Sequence, residues 1–584
     1  MLLHYKHNGV HVPATDPSEA FEGSAMSAHR TARRVLPVLL VSTLAAAGCS
    51  SGSSTSSPKP GAGAPAKAAN VKDGGTLTFG ADQEPSGFNN NTSKDNSTAA
   101  GDVDEGLLPS VFKTHPDFTP QLDKDLMVSA ELTKPEPETI VYKIKPEAKW
   151  SDGVPVDAKD FIFNYKAQNG TDKRFDVAST TGYEDVASVT GSDTDKTVTV
   201  VFKKKFAEWK SLFHNLIPAH IVQKDPKGIE EGWNNGFNKM MPVSAGPFKF
   251  QAYKPTESLT LVRNDAYFGP KAHLDSILFR FLPESTTQPD ALKNGEVQLI
   301  YPQPQLDLVA AVKAIPGVTN NINFGLTFEH FDFNTKTPGL DDPAVRKAIA
   351  TGLNRESMIK RTVAQFSDKA SVLGNRIYLT GQPEYKDNSG SYGKGDGAGA
   401  MKALEAAGYA KGADGIYAKG GKKLSFRFST TSGNKLRETQ GELLKTQMKA
   451  IGVDIKIDNV KAATLFSERL PKGNFDIADF AWVGTPFATS NKSIYVTGGG
   501  QNYGKGSDPK VDALFNQAGG ELDDAKRTDL LNQADAELWQ NMVTIPLYQK
   551  PTFIAYSDKY GNIGDNASVE GPFWNAGTWG MKSS

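Results

Sequence analysis

The chain has 584 residues, 65 Lys and Arg against 66 Asp and Glu, and a single cysteine, Cys49. The length predicts several structural units, the near-neutral charge argues against nucleic acid as the main partner, and one cysteine excludes an intramolecular disulfide and a multi-cysteine metal site. A mean hydropathy of -0.42 and the lack of a run of about 18 apolar residues exclude a polytopic membrane protein.

The N-terminal region predicts export and lipid anchoring. A basic stretch at 29–34 precedes thirteen uncharged residues, VLPVLLVSTLAAA, and then Gly48-Cys49, which together predict a signal peptide over residues 1–48. Residues 1–25 carry three acids and do not fit an export signal, so we expect translation to begin at Met26. The sequence before Cys49 resembles a bacterial lipobox, which predicts lipidation of this cysteine, although a free thiol in a plain signal peptide is the alternative.

The residues after Cys49 predict a tether. Residues 49–70 are rich in Ser, Gly, Pro and Ala and show no apolar periodicity, as in a flexible linker. The expected location is therefore extracytoplasmic, at the cell surface or the periplasmic face of the membrane, with a lipid as the only membrane contact.

The body alternates strand and helix patterns without a repeat of 20–50 residues, which predicts an α/β fold. Strands are predicted at 74–80, 139–145, 197–202, 259–263, 277–282, 424–428, 453–457, 475–481 and 543–548. Helices are predicted to start after Asp157 and near Met401, and to span 343–360, 436–451, 509–518 and 523–540.

Two features could suggest chemistry. Residues 499–506 nearly form a phosphate-binding loop, but Gly506 stands where the motif needs Ser or Thr, so we expect a loop whose backbone approaches a ligand. His214 and His220 are six residues apart, the wrong spacing for a metal pair on one helix face. No G-x-S-x-G or H-E-x-x-H motif is present, so we predict no enzyme activity, no cofactor and no metal site.

Five segments carry recognisable patterns in a fixed order. They are YKIKPEAKWSDGVPVDAKDFIFNY at 142–165, AGPF with LVRNDAYF at 245–268, DDPAVRKAIA with NRE at 341–356, the segment 403–417 ending in DGIY, and VDALF with IPLY at 511–548. Together they resemble the family 5 solute-binding proteins of ABC importers, the oligopeptide- and dipeptide-binding group, over residues 71 to about 560. Within these motifs Trp150 is expected to be buried at a turn, and Arg263 and Arg346 to brace element ends.

The resemblance implies a two-lobed periplasmic-binding-protein-like fold of type II, with mixed sheets and an extra small domain. Lobe 1 would hold residues 71–300, including an inserted small domain at about 116–240, and lobe 2 would hold residues 301–545. Residues 546–584 would return to lobe 1. The chain would cross between the lobes near Tyr301 and Tyr548, so these two segments would form a hinge.

The resemblance also implies a function. The chain would be a monomeric, lipid-anchored substrate-binding protein that captures peptides or peptide-like solutes by hinge closure and delivers them to the permease and ATPase subunits of an ABC importer. The same family scaffold serves nickel chelates, haem, oligosaccharides and signalling peptides. An extracellular hydrolase acting on peptide or glycan is the alternative from a different functional class.

Ligand contacts are implied by position in the family. The expected residues are Gln83, Glu84, Phe88, Asn89, Phe331, Asn334, Trp482, Thr485, Asn502 and Tyr503. In oligopeptide binders the position of Thr485 holds an Asp that pairs with the α-ammonium of the peptide. We therefore predict that this protein lacks the usual amine anchor, so that either Glu84 or Asp479 supplies the charge or the ligand has no free amine.

Overall fold

The computed structural model describes residues 68–192 and 196–583. The predicted signal peptide, Cys49 and nearly all of the linker lie outside the described residues. Within the described part, no helix combines the length and the apolar character needed to cross a bilayer.

The strands of the described chain are short except for two near the middle of the largest sheet. They are β1 (Val71–Lys72), β2 (Thr76–Ala81), β3 (Phe112–Thr114), β4 (Pro120–Leu122), β5 (Met127–Pro135), β6 (Glu138–Ile144), β7 (Val186–Ser192), β8 (Thr197–Phe202), β9 (Phe248–Lys254), β10 (Ser258–Arg263), β11 (Ser276–Phe281), β12 (Leu299–Ile300), β13 (Val318–Phe333), β14 (Ala410–Lys411), β15 (Tyr417–Lys419), β16 (Lys422–Lys423), β17 (Ser425–Ser429), β18 (Asp454–Ile457), β19 (Ile477–Val483), β20 (Thr544–Ser557), β21 (Tyr560–Gly561) and β22 (Gly580–Lys582).

Helices alternate with these strands, as the sequence predicts. They are α1 (Thr98–Asp104), α2 (Ala158–Gln168), α3 (Ala219–Val222), α4 (Ile229–Asn235), α5 (Gln288–Lys293), α6 (Leu306–Lys313), α7 (Pro343–Gly352), α8 (Arg355–Lys360), α9 (Gly397–Ala406), α10 (Lys435–Ala450), α11 (Ala462–Thr464), α12 (Leu470–Lys472), α13 (Lys492–Tyr495), α14 (Pro509–Gly520) and α15 (Asp524–Asn541). Many begin at side chains that accept a first-turn backbone N–H, such as Asp157, Asp342, Asn434 and Asp508.

A mixed ten-stranded sheet has the order β18-β17-β19-β13-β20-β12-β2-β11-β10-β9. We call the half formed by β12, β2, β11, β10 and β9 lobe 1, and the half formed by β17, β18 and β19 lobe 2. The two long strands β13 and β20 pair with each other between the halves. A separate antiparallel sheet, β5-β6-β8-β7, forms the centre of what we call the inserted domain.

The ladder between β13 and β20 is irregular at two points, between Phe324 and Phe328 and between Glu329 and His330, and the first is the wider. Phe324 pairs with Pro551, and the next pair is Phe328 with Gln549. Two of the residues between them make other hydrogen bonds: the side chain of Gln549 on β20 donates to the Gly325 carbonyl at 2.7 Å, and the Leu326 amide donates to the carbonyl of Ala567 at 2.8 Å. The two crossing strands therefore have a three-residue gap in their pairing.

The motif residues have the structural roles predicted for them. Trp150 is fully buried and its indole donates to Asp160 at 3.1 Å, next to Gly153, whose φ of 88° suits a glycine turn. The Arg346 guanidinium donates to four backbone carbonyls, including those of Leu340 and Asn541 at 2.7 Å, and so joins α7 to the end of α15.

Two predicted elements were wrong in extent. The single helix predicted over 343–360 is two helices, because Asn354 leaves the helical conformation and caps α8 by accepting the Ser357 amide at 2.8 Å. The strand predicted at 543–548 continues to Ser557, past Pro551, because this proline lies beside the gap in the ladder.

Candidate functional site

A cavity of about 320 Å³ lies between lobe 1 and lobe 2, and we call it the central cavity. Lobe 1 contributes the loop after β2, helix α1 and the segment 301–304, while lobe 2 contributes β19 and the loops that follow it. Residues from β13 and β20 also line it. A volume of this size suits a small solute or part of a peptide.

One wall of the central cavity is aromatic. Trp482 stacks on Tyr503 with ring centroids 5.8 Å apart and 14° between the planes, and Phe480 meets Trp482 edge to face at 5.1 Å. The His330 ring also stacks with Trp482, with the ring centroids 5.8 Å apart. The Trp482 indole N–H has no hydrogen-bond partner among the described residues, so this wall offers apolar surface and one free donor.

Two buried cations share one carboxylate next to this wall. Arg437 and Lys550, which we call the basic pair, line the cavity and have side chains only 3% and 4% exposed. Both pair with the fully buried Glu329: Lys550 Nζ lies 2.9 Å from one of its oxygens, and Arg437 Nε donates to the other. Burial works to raise the pKa of Glu329, but Arg437 and Lys550 lower it to about 2, so it is ionised.

Asp479 lies beside this group on β19 and is fully buried. Neither of its carboxylate oxygens has a hydrogen-bond partner within the described residues. Burial, followed by repulsion from Glu329, raises its pKa well above the usual range. Within contact distance, the two cations share one carboxylate, that of Glu329.

Lobe 1 brings two acids to the same cavity. Asp82 follows β2 and Asp102 lies on α1, and we call them the acidic pair. Burial raises the pKa of both, and their mutual repulsion adds to the rise for Asp102. Attraction by Lys550 and Arg437 opposes the rise for Asp82, so Asp82 lies within electrostatic reach of the basic pair.

Four of the residues predicted from the family positions line the central cavity: Gln83, Trp482, Thr485 and Tyr503. Thr485 is held by local bonds, since its hydroxyl accepts the Phe487 amide at 3.1 Å. It therefore presents a neutral group.

Glu84, Phe88 and Asn89, the other predicted residues in the loop after β2, pack within lobe 1. Glu84 accepts bonds from the Tyr253 hydroxyl at 2.6 Å and the Thr256 amide at 2.9 Å, and it lines a neighbouring cavity of about 250 Å³. Phe88 is fully buried, and the Asn89 amide donates to the carbonyl of Trp233 at 2.9 Å. These three side chains do not line the central cavity.

Three predicted residues of lobe 2 also have packing roles. Phe331 is fully buried in the lobe 2 core. The Asn334 amide donates to the carbonyls of Gly473 and Phe475, both at 2.9 Å. Asn502 closes the loop at 499–506, which we call the glycine loop, by bonding Gly506 through both its side-chain amide and its side-chain carbonyl oxygen. The structure thus places these side chains outside the lining of the central cavity.

The glycine loop contacts residues on the inserted-domain side. A Cβ on Gly500 would lie 2.5 Å from the Ala178 carbonyl oxygen, so only glycine fits this approach to the inserted-domain side. The next residue, Gln501, donates to Asn96 at 2.8 Å. In this structure Gly500 approaches protein backbone, and the approach of this loop to a ligand stays a prediction.

Further contacts join lobe 2 to the inserted domain. The Thr489 amide donates to Glu208 at 2.9 Å, Lys492 pairs with Glu184, and the Ala207 amide donates to the carbonyl of Gly519 at 3.0 Å. The structure is therefore a closed arrangement, in which polar groups of the two sides satisfy each other.

A second cavity of about 220 Å³ adjoins the central one and is lined by His214 and Glu570. Ligand atoms of Glu105, His214 and Glu570 lie within 4.8 Å of one another, a spacing that could hold a metal ion. These groups already pair with neighbours: His214 Nε2 lies 3.2 Å from Glu570, and Lys113 Nζ lies 3.3 Å from Glu105. Each of the two acids therefore has a protein partner.

The basic pair, the acidic pair and Glu329 were missed by the sequence reasoning. One signal was available for Glu329, since an acid between Phe328 and His330 within a strand has to find a buried partner. Nothing local marks Lys550, whose partner Glu329 is distant in sequence, or Asp102, which accepts no hydrogen bond from the described residues.

Comparisons with known proteins agree with this architecture. The family described as bacterial extracellular solute-binding proteins, family 5 Middle, matches residues 121–504. The oligopeptide-binding protein OppA of Mycobacterium tuberculosis (strain ATCC 25618 / H37Rv) is 31% identical over 507 residues, which span 85% of this chain and 83% of OppA.

Solved structures extend the likeness to the fold. The periplasmic EDTA-binding protein EppA is 29% identical with a TM-score of 0.80, covering 89% of this chain and 98% of EppA. The oligopeptide-binding protein AppA of Bacillus subtilis, solved with a nonapeptide, has a TM-score of 0.80 at 24% identity, over 88% of this chain and all of AppA (100%). The predicted periplasmic-binding-protein-like fold is confirmed.

Proposed function

Because the chain belongs to family 5 of the bacterial extracellular solute-binding proteins, we propose that it is the substrate-binding protein of an ABC importer for peptides or peptide-like solutes. The observation that carries the proposal is the central cavity between two lobes joined by two long crossing strands. OppA is named for oligopeptide binding and EppA for EDTA binding, so the proposal includes solutes that resemble peptides only in their charged and polar groups.

Closure is the proposed mechanism of capture. The polar contacts of the closed arrangement, such as Gln501 with Asn96 and Thr489 with Glu208, form only when the two sides meet. A solute that contacts both lobes stabilises this state over an open one, and the permease would recognise the closed form. The aromatic wall would contact apolar parts of the solute, while main-chain groups bind through hydrogen bonds and ordered water.

Binding without reaction is the test. Thermal denaturation in the presence of a defined peptide mixture is expected to shift to higher temperature, and mass spectrometry of the bound fraction should recover the peptides intact. Recovery of cleaved peptides would contradict the proposal and favour the hydrolase. Failure of every peptide to raise the melting temperature would also contradict it.

The lipid anchor and the partners complete the proposal. We propose that Cys49 is diacylated and holds a monomeric protein at the membrane beside its permease and ATPase subunits. Metabolic labelling with an alkyne fatty acid should label the wild type but not Cys49→Ala, which should appear in the soluble extracytoplasmic fraction. Equal labelling of both proteins would refute the assignment of Cys49.

A further inference from the structure

We propose that the central cavity selects zwitterionic solutes. A cationic group of the solute would bind the acidic pair, and an anionic group would bind the basic pair. This inference rests on the proposed function and names the charge class of its substrate. It also gives the protein an amine anchor on lobe 1, in place of one at Thr485 on lobe 2.

The acidic pair is suited to a cation. Asp102 is only 8% exposed, lines the central cavity, and accepts no hydrogen bond from any described residue. A buried carboxylate without a partner is costly, so the site favours either a proton or a bound cation. Because burial and mutual repulsion raise the pKa of Asp102, a bound ammonium would displace protons from the pair.

The basic pair has more positive charge than its protein partner can match. Glu329 is the carboxylate that both cations contact, while burial and repulsion from Glu329 raise the pKa of Asp479 next to it. Burial also lowers the pKa of Lys550, which an anion beside it would reverse. A carboxylate from the solute would therefore complete this cluster through charge-assisted hydrogen bonds.

The two pairs face one cavity without neutralising each other. Among the described residues, no nitrogen of the basic pair lies within 4.0 Å of Asp82 or Asp102. Lys550 and Arg437 nevertheless lower the pKa of Asp82, which places that carboxylate close to them. The cavity of about 320 Å³ is thus bordered by separated charges of opposite sign, an arrangement that a zwitterion matches at both ends.

The remaining surface of the cavity agrees with this orientation. Thr485 is neutral and bonded to its own loop, so it supplies no charge for an amine. The faces of Trp482 and Tyr503 attract cations as well as apolar groups. Neither feature provides an alternative anion or cation that would compete with the two pairs.

The test is calorimetry with one peptide series in four chemical forms. Trialanine, tetraalanine and pentaalanine would each be titrated as the free peptide, the N-acetyl form, the C-terminal amide and the doubly blocked form. We expect the free peptide to bind about tenfold or more tightly than either singly blocked form. We also expect titrations in two buffers of different ionisation enthalpy to show proton release with the free and amidated peptides alone.

Two variants assign each end of the peptide to one of the two charged pairs. In Asp102→Asn, acetylation should no longer weaken binding while amidation still does, and the proton release should fall. In Lys550→Met, amidation should no longer weaken binding, while acetylation still does. The matched control is Glu442→Gln, an exposed acid on α10, which should behave as wild type. Equal binding of all four peptide forms by the wild type, together with no proton release, would overturn the inference while leaving the proposed function intact. Failure of all forms to bind the wild type would count against the proposed function itself.

Discussion

The buried cluster of Glu329, Arg437 and Lys550 allows a sharp test of the energetics. In Glu329→Gln the side chain keeps its shape but loses its charge, which removes the carboxylate that both buried cations contact. Breaking a buried ion pair by removing one partner costs about 3–5 kcal/mol. We therefore expect the free energy of unfolding to fall by this amount in urea denaturation, followed by both circular dichroism and tryptophan fluorescence.

The matched control is the same chemical change on the surface. Glu442 is 63% exposed and lies 3.6 Å from Lys445, so Glu442→Gln should cost about 0–1 kcal/mol. In Glu329→Gln/Lys550→Met only Arg437 remains uncompensated, and part of the lost stability should return. A loss for Glu329→Gln no greater than that for Glu442→Gln would refute the reasoning.

The difference in unfolding free energy between wild type and Glu329→Gln is expected to change with pH in one direction. Although burial acts to raise it, the pKa of Glu329 is lowered by Arg437 and Lys550 from 4.5 to about 2. A carboxyl group with a lowered pKa in the folded state binds fewer protons there than in the unfolded state. Its contribution is therefore complete above about pH 4.5 and is lost as the pH falls toward 2. The stability gap between wild type and Glu329→Gln should narrow in this range, and a gap that widened would contradict the assignment.

Three further predictions follow from close contacts. Gly500→Ala should weaken peptide binding roughly tenfold by disfavouring closure, because the new Cβ would lie 2.5 Å from the Ala178 carbonyl oxygen. The calorimetric control is Gly519→Ala, whose Cβ would meet nothing within 4 Å. Equal peptide affinities of the two variants would contradict this prediction. Arg346→Lys should lose about 2–3 kcal/mol in urea denaturation, because an ammonium cannot span the four carbonyls that the guanidinium binds. A loss below about 0.5 kcal/mol would argue against it. Asn354→Ala should lose about 1 kcal/mol by the same measurement, through the cap of α8, and an unchanged midpoint would show that the cap contributes nothing.

Local patterns predicted most of the elements because each strand or helix carries its own periodicity and caps. The strand predicted at 197–202 matches β8, and the helix predicted at 436–451 differs from α10 by one residue at each end. The lengths of β13 and β20 could not be predicted in this way. Their first and last parts lie in different halves of the large sheet, so different neighbours support them, and the Asn-rich start of β13 has no strand pattern.

The site was predicted less completely, and for a physical reason. Trp482 and Tyr503, which family positions identify as ligand contacts, line the central cavity, and their contact with a ligand stays a prediction. The charged lining depends on tertiary proximity: Arg437 meets Glu329 from 108 positions away. Such pairs leave no local periodicity, and one sequence without an alignment shows no covariation between them.

The gap in the ladder between β13 and β20 also determines where the motion of the protein can be measured. Bending a paired region of the sheet breaks backbone hydrogen bonds between strands, whereas residues 325–327 form no ladder pairs with β20 and are joined to it by the bond from the Gln549 side chain to the Gly325 carbonyl. Rotation about such a point displaces each atom in proportion to its distance from the axis. The outermost strands of the ten-stranded sheet, β9 and β18, are therefore the positions for a pair of spin labels or fluorophores, because their separation changes most for a given angle.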